Sequence, residues 1–222
     1  MVLKPYEAKK FYDRFGKKQD SQSFYEDKAT DNLIVHGDFF EAAKVFEFGC
    51  GTGRTAEKLL KSHLPVSATY TGCDLSSTMV GLAKQRLSTF SQRVQIIQTD
   101  GTIHFPVSDS SVDRVVSAYV LDLLSETDIR TFLHEAYRVM NPGGKLGLVS
   151  LTRGVAILPR IVTVLWDSIF RVRPSLVGGC RPIQLIHHLD IRMWQVEYHS
   201  VITAFGIPSE VLVAAVKSNS QP

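Results

Sequence analysis

Short runs of β-branched and aromatic residues alternate along the chain with longer segments whose apolar positions recur every three or four residues. That alternation predicts an α/β domain in which crossover helices connect the strands of a mostly parallel, doubly wound sheet. Strands are expected at Lys44–Phe48, Ala68–Cys73, Val94–Gln98, Val112–Ala118 and Lys145–Leu151. Helices are expected from about Thr52 to Ser62, from the capping-rich run Asp74-Leu-Ser-Ser-Thr, and over Glu126–Met140, where Asn141-Pro-Gly-Gly forces a stop. Trp194–Thr203 and Glu210–Lys217 read as a closing antiparallel pair, because the turn at Gly206-Ile-Pro208 is too short for a parallel crossover. Residues 1–42 hold aromatics among many charges and no strong strand, which predicts short covering helices.

Composition narrows the class. At 222 residues, with 44% hydrophobic and 21% charged, the chain suits one α/β domain with a modest insertion and is too apolar for a disordered one. No uninterrupted apolar run reaches the length of a spanning helix. Cys50, Cys73 and Cys180 are odd in number and contain no CxxC pair, so no disulfide framework and no metal site is expected. The charged, aromatic N-terminus is unlike a secretory signal, and a cytoplasmic location is the expectation. A net charge of +3 gives no reason to expect nucleic acid as a partner.

The most informative stretch is Glu47-Phe-Gly49-Cys50-Gly51-Thr-Gly53, at the end of the first strand. Glycines there let the chain turn sharply and bring backbone N–H groups close to a ligand. A dinucleotide loop has glycine where this chain has Arg54, and a carboxylate at Glu47 would repel a pyrophosphate but attract an ammonium or sulfonium group. Asp74 closes the second strand at the distance from which a carboxylate accepts from ribose hydroxyls, and Asp100 closes the third, where it can accept from an exocyclic amine.

The runs E-F-G-C-G-T-G, C-D-L-S-S-T-M, T-D-G, S-V-D-R-V-V-S-A and R-V-M-N-P-G-G-K-L, in this order over residues 43–152, resemble the successive motifs of class I S-adenosylmethionine-dependent methyltransferases. The central motifs are most similar to the ubiquinone/menaquinone C-methyltransferase-like branch, although that branch's N-terminal signature is absent at Tyr12-Asp-Arg-Phe-Gly and its R-V-L-K-P-G-G is altered at Asn141. The resemblance implies a seven-stranded Rossmann-like sheet with an antiparallel last strand, and S-adenosyl-L-methionine as cofactor. It also implies that Glu47 meets the methionine ammonium while Gly49, Cys50, Gly51 and Gly53 lie in the cofactor loop. Asp74 would hold the ribose, Leu75 the adenine face, Asp100 and Gly101 the adenine edge, and Ser117, Ala118 and Tyr119 the methionine moiety.

The acceptor is then expected to be a small molecule, with nitrogen, oxygen, carbon and sulfur all open as the methylated atom. A non-catalytic cofactor-binding scaffold is the alternative, and a lipid or quinone methyltransferase at a membrane surface a further one. Candidate bases are Asp122, His187, His188, Asp190 and Tyr198, with His199 behind them, and Tyr119 is the best-placed aromatic. Tyr12 and Tyr25 are candidates to close over the acceptor. The segment 153–192 reads as a helical lid or insertion before the closing strands at 193–217. Its five arginines, among them Arg153 and Arg181, suit an anionic group, and the amphipathic stretch 154–173 suits a lid, a dimer contact or a peripheral membrane contact.

Overall fold

The computed structural model describes residues 2–153 and 179–217; the amphipathic stretch expected at 154–173 and residues 218–222 lie outside these. Seven strands form one sheet: β1 (Lys44–Phe48), β2 (Thr69–Asp74), β3 (Val94–Gln98), β4 (Val112–Ala118), β5 (Met140–Leu151), β6 (Trp194–Ala204) and β7 (Ile207–Val216). Their spatial order is β3-β2-β1-β4-β5-β7-β6, parallel from β3 to β5 and antiparallel where β7 lies between β5 and β6. The order reverses between β1 and β4, and a doubly wound sheet opens a ligand crevice at such a switch point, beyond the carboxyl ends of the strands.

Central strands are apolar on both faces. Val45, Val116, Val149, Val211 and Val213 point to the layer built from α2 (Ser23–His36), α3 (Arg54–Ser62) and α4 (Ser77–Arg86). Phe46, Phe48, Val115, Leu146, Leu148 and Leu212 point to the other layer, which includes α5 (Glu126–Val139). Burial on both sides explains why these strands read as continuous β-branched and aromatic runs without alternation.

Helix starts follow the capping residues. The Ser76 side chain accepts from Met79 N–H to open α4, and the Ser125 side chain accepts from Asp128 N–H to open α5. Two boundaries differ from the sequence reading. The helix α5 stops at Val139, and Asn141-Pro-Gly-Gly belongs to the start of β5. The β6–β7 turn is Phe205-Gly206, both at positive φ, so Pro208 pairs with Thr203 inside the ladder. Two consecutive positive-φ residues make the tight hairpin turn whose twist suits antiparallel strands.

The N-terminal residues form α1 (Pro5–Phe15), a 3-10 turn over Gly16–Gln22 and α2. Asp13 of α1 accepts from the Ser76 hydroxyl at 2.6 Å and from Thr78 N–H at 3.2 Å, which fixes α1 over the N-terminus of α4. Asp20 accepts from the Thr52 hydroxyl at 2.6 Å and pairs with Arg86, while Asp27 and Asp31 pair with Arg54 and Lys58. The N-terminal segment is thereby stapled to the helix that follows the glycine loop.

Candidate functional site

Beyond the carboxyl ends of β1, β2 and β4 lies a cavity of about 740 Å³, within the range of small-molecule sites. Its wall includes Glu47, Gly49, Cys50, Gly51, Asp74, Leu75, Gly101, Ala118 and Tyr119, and from the N-terminal helices Pro5, Ala8, Tyr12 and Glu26.

The glycine loop is held by its own backbone, since the N–H groups of Gly49 and Cys50 both donate to the Cys73 carbonyl, at 2.8 and 2.9 Å. Gly49 sits at φ +76°, where an added Cβ would lie 2.3 Å from a Val120 methyl, so only glycine fits. At Gly51 an added Cβ would meet nothing within 4 Å, which leaves the backbone bare to the cavity.

Glu47 is 2% exposed and accepts a hydrogen bond from the Tyr70 hydroxyl. Burial pushes its carboxyl up to about 7, against the pull of the Tyr70 donor and with a further push from Asp74. A buried carboxyl held off its charge in this way gains most from a cation placed beside it. Asp74 accepts from Gly51 N–H at 2.9 Å and Ser76 N–H at 2.8 Å, and burial raises it despite these donors. A carboxylate has about four lone-pair sites, so acceptor capacity remains for hydroxyl donors. At Gly101, φ +94°, an added Cβ would come 2.9 Å from Pro5 and 3.1 Å from Leu75, so α1 closes this end of the cavity.

These residues fit S-adenosylmethionine by the chemistry of their donors and acceptors: a buried acid for an ammonium, a second acid for hydroxyls, and bare backbone between them. Three residues expected at the cofactor are not on the cavity wall. An added Cβ on Gly53 would stand 3.2 Å from Ala83, so this glycine serves the packing of α3 on α4 and is off the cavity wall. Ser117 is fully buried and donates to the Phe48 carbonyl at 2.9 Å, which joins β4 to β1. Asp100 is exposed and folds back on Thr102, accepting from its N–H at 2.9 Å and its hydroxyl at 2.7 Å. That local turn holds its carboxyl below the usual range and turns it from the wall, leaving Thr99 and Gly101 there instead.

Two tyrosines, Tyr12 and Tyr119, also line the cavity. Tyr119 sits at φ +57° just after β4, its hydroxyl 2.9 Å from the Ser209 hydroxyl and its ring edge-on to Tyr25 at 5.8 Å. Tyr12 lines the wall and is hydrogen-bonded to the Cys180 thiol. Tyr25 is buried behind them, in an apolar cluster with Leu151 and Ala204.

The histidine candidates are not at the cavity. His187 and His188 lie in a 3-10 turn over Leu185–His188, with His188 3.5 Å from Glu126 and its pKa lowered by burial. Asp190 binds Arg192, and its carboxyl is held down to about 2. Tyr198 stacks on His36 at 3.6 Å, and His199 meets Glu210 at 2.8 Å. All five are absent from the cavity wall; Tyr198 and His199 stand on β6, the edge strand of the sheet, and the other three on the segment that leads into it. Arg181 is also spent elsewhere, on the Leu124 carbonyl at 2.7 Å and on Glu126, and Arg153 is exposed and off the wall. Neither arginine reaches the cavity to receive an anion.

Residues 45–144 match the Methyltransferase domain family. That match covers 100 of the 222 residues, and it agrees with the resemblance of the sequence to class I S-adenosylmethionine-dependent methyltransferases. The chain is 29% identical over 145 residues to the demethylmenaquinone methyltransferase of Lactobacillus johnsonii, a match covering 62% of this chain and 57% of that one. It is 25% identical over 156 residues to the tRNA N(3)-methylcytidine methyltransferase Mettl2 of Drosophila melanogaster, covering 63% and 46%. The chain thus spans about half the length of the curated relatives it matches. Its fold is shared along 98% of both chains by the [4+2]-cyclase SpnF, with a TM-score of 0.74 and 16% identity. The fold is also that of the N-methyltransferase NodS of Bradyrhizobium japonicum in complex with S-adenosyl-L-homocysteine, with a TM-score of 0.64 and 19% identity over 87% of this chain and 88% of that one.

Two parts of the site had no advance signal in the sequence. Tyr70, the donor to Glu47, is one more aromatic in a strand until pairing sets Val45 beside it and leaves Glu47 on the same face. The acids that staple α2 to α3 look like ordinary solvated charges when read along one helix.

Proposed function

We propose that the protein transfers the methyl group of S-adenosylmethionine to a small-molecule acceptor enclosed between the carboxyl edge of the sheet and the N-terminal helices. The observation that carries this reading is the roof: Pro5, Ala8, Tyr12 and Glu26 close a cavity whose floor is the glycine loop, Glu47 and Asp74. A duplex or a folded RNA is matched by an open basic face, whereas on this wall acids outnumber the cations Arg54, Lys58 and Lys61.

The bound cofactor supplies a methyl group activated on a sulfonium. Glu47 would receive its ammonium, Asp74 its ribose hydroxyls, Leu75 the adenine face and the Gly101 N–H the adenine edge. Ala118 and Tyr119 would flank the methionine moiety. The N-terminal residues 1–42 act as a cap that excludes water and sets the acceptor in line, and such positioning can supply on the order of 7 kcal/mol of the barrier reduction in well-oriented reactions.

Incubation with methyl-labelled S-adenosylmethionine, a pool of small metabolites and, separately, bulk tRNA tests this. Label in the small-molecule fraction is the expected result. Label in tRNA instead, as the Drosophila relative's name would suggest, would overturn the acceptor class.

A further inference from the structure

One carboxylate on the cavity wall has an oxygen that no described residue hydrogen-bonds. Glu26 lines the cavity from α2, yet the residue is only 9% exposed. Its Oε1 accepts long hydrogen bonds from Gln19 at 3.3 Å and from the Tyr25 hydroxyl at 3.4 Å. Its Oε2 accepts none among the described residues; Arg54 stands off at 3.6 Å and is held by Asp27. That oxygen is not sealed, in contrast to Oδ1 of Asp122, which is partnerless and without open surface. A nearly buried carboxylate oxygen that faces a cavity and lacks a donor is where a ligand completes the hydrogen bonding.

The surroundings put Glu26 at the methionine end of the cavity. Arg54 is the first residue after the glycine loop, and Tyr119, at which the Glu26 charge is felt, follows β4. Glu26 is thus bracketed by the two segments assigned to the methyl donor. The titratable groups facing it come from every element around it: Tyr25 and Asp27 from α2, Arg54 from α3, Tyr119 and Asp122 after β4, and Cys180 from the returning segment. Arg54 alone among these is a cation, and Asp27 shares it.

We propose that Glu26 contacts the methyl acceptor, that the acceptor presents a phenol-type hydroxyl, and that Glu26 takes its proton as the oxygen attacks. The inference rests on the methyltransferase reading and adds the substrate class and the base. Charge selects a neutral donor. An ammonium acceptor would set a second cation beside the sulfonium, and a carboxylate acceptor would set a second anion beside Glu26. Acidity selects a phenol. Burial raises Glu26 to about 7 against the pull of Arg54, within about 3 units of the ordinary value of a phenol. An alkyl alcohol, by contrast, ionises as reluctantly as water. Shape agrees, because the rings of Tyr12 and Tyr119 on the same wall suit a flat aromatic ligand.

The step balances. The hydroxyl proton passes to the Glu26 carboxylate, and an oxygen lone pair forms the new O–C bond. The methyl–sulfur bond breaks with its electron pair left on sulfur. A neutral ether and a neutral thioether leave, and Glu26 returns its proton to solvent.

The test uses the full chain saturated with S-adenosylhomocysteine and 3-nitrophenol as probe, a phenol less acidic than Glu26 and coloured only when ionised. Absorbance titration gives the pH at which the bound probe ionises. A carboxylate beside the hydroxyl disfavours the phenolate, so the bound probe should ionise about 1 pH unit or more above the free probe. In Glu26→Gln that rise should vanish, because an amide can donate to the phenolate, while S-adenosylhomocysteine affinity stays that of the wild type. With labelled donor and the pool of small metabolites, the product should be a neutral, alkali-stable methyl ether. Its formation should rise with pH through about 7 and fall about 100-fold in Glu26→Gln, with that pH limb removed. Absence of probe binding in protein that binds S-adenosylhomocysteine, a probe whose ionisation is the same in wild type and Glu26→Gln, or a pH limb that survives in Glu26→Gln would each overturn the proposal. Label in an alkali-labile ester or in a cationic amine would overturn it as well. Label in tRNA, or failure to bind S-adenosylhomocysteine, would instead overturn the reading on which it rests.

Discussion

Single buried residues make a prediction about pH. Glu26, Glu47 and Asp122 are raised by burial to about 7 in the fold, from ordinary values of about 4. Their neutral forms favour the fold, so the stability they contribute is complete below about pH 4 and is lost as pH rises through about 7. Asp13 and Glu135, each lowered to about 2, work the other way and lose their contribution only as pH falls toward about 2. The melting temperature of the ligand-free protein should therefore decline from about pH 5 to about pH 8. Glu47→Gln should flatten that decline, and a melting temperature that climbs across the interval would contradict the assignment. At Gly49 the expectation is steric. Gly49→Ala puts a Cβ on Val120 at a positive φ and should cost about 1–3 kcal/mol in chemical denaturation, with weakened cofactor binding.

Between elements, Glu210 ties the chain returning at 179–193 to the sheet. It is 2% exposed and accepts from the N–H groups of Leu185 at 2.7 Å and Ile186 at 3.1 Å, as well as meeting His199. Glu210→Ala leaves those donors without an acceptor, at about 1–3 kcal/mol for each one buried. Amide exchange at Leu185 and Ile186 should then accelerate well beyond that of β1 and β4; equal protection in both proteins would refute the tie. The second junction is the charge zipper between the N-terminal segment and α3. Asp20→Ala removes the acceptor shared by Thr52 and Arg86 beside the glycine loop. It should speed proteolysis within residues 2–36 and raise the S-adenosylhomocysteine off-rate, while the sheet stays protected. The strands were legible in the sequence because burial on both faces writes an unmistakable apolar run. The zipper was not, since pairing Asp27 with Arg54 and Asp31 with Lys58 depends on how two helices cross. His187 and His188 were misplaced for a similar reason: residue type suggests chemistry, but β6 and the turn before it stand at the far edge of the sheet.

At the scale of the whole molecule, the reversal of strand order between β1 and β4 decides where chemistry can occur. Glu47, Gly49, Gly51, Asp74, Leu75, Gly101 and Tyr119 converge on one cavity because each lies at or just past a strand's carboxyl end. Strand ends can be read from the sequence, which is why these positions were accessible to it. Asp100 met the same criterion and still turned away, because a short acceptor two residues before a threonine closes a local turn of its own. The rest of the wall draws on α1, α2 and the chain just past β4 together, and no linear pattern joins these.

The central claim is that this cavity binds S-adenosylmethionine through Glu47 and Asp74. Calorimetric titration of the purified protein with S-adenosylhomocysteine, beside NADH and beside the Asp74→Ala variant, tests it most directly. The account predicts binding at about micromolar Kd, no response to NADH, and a loss of about 1–3 kcal/mol in Asp74→Ala, the cost of removing a charged hydrogen-bond acceptor. A folded wild-type protein that ignores the thioether, or an Asp74→Ala variant that binds it equally well, would contradict the account.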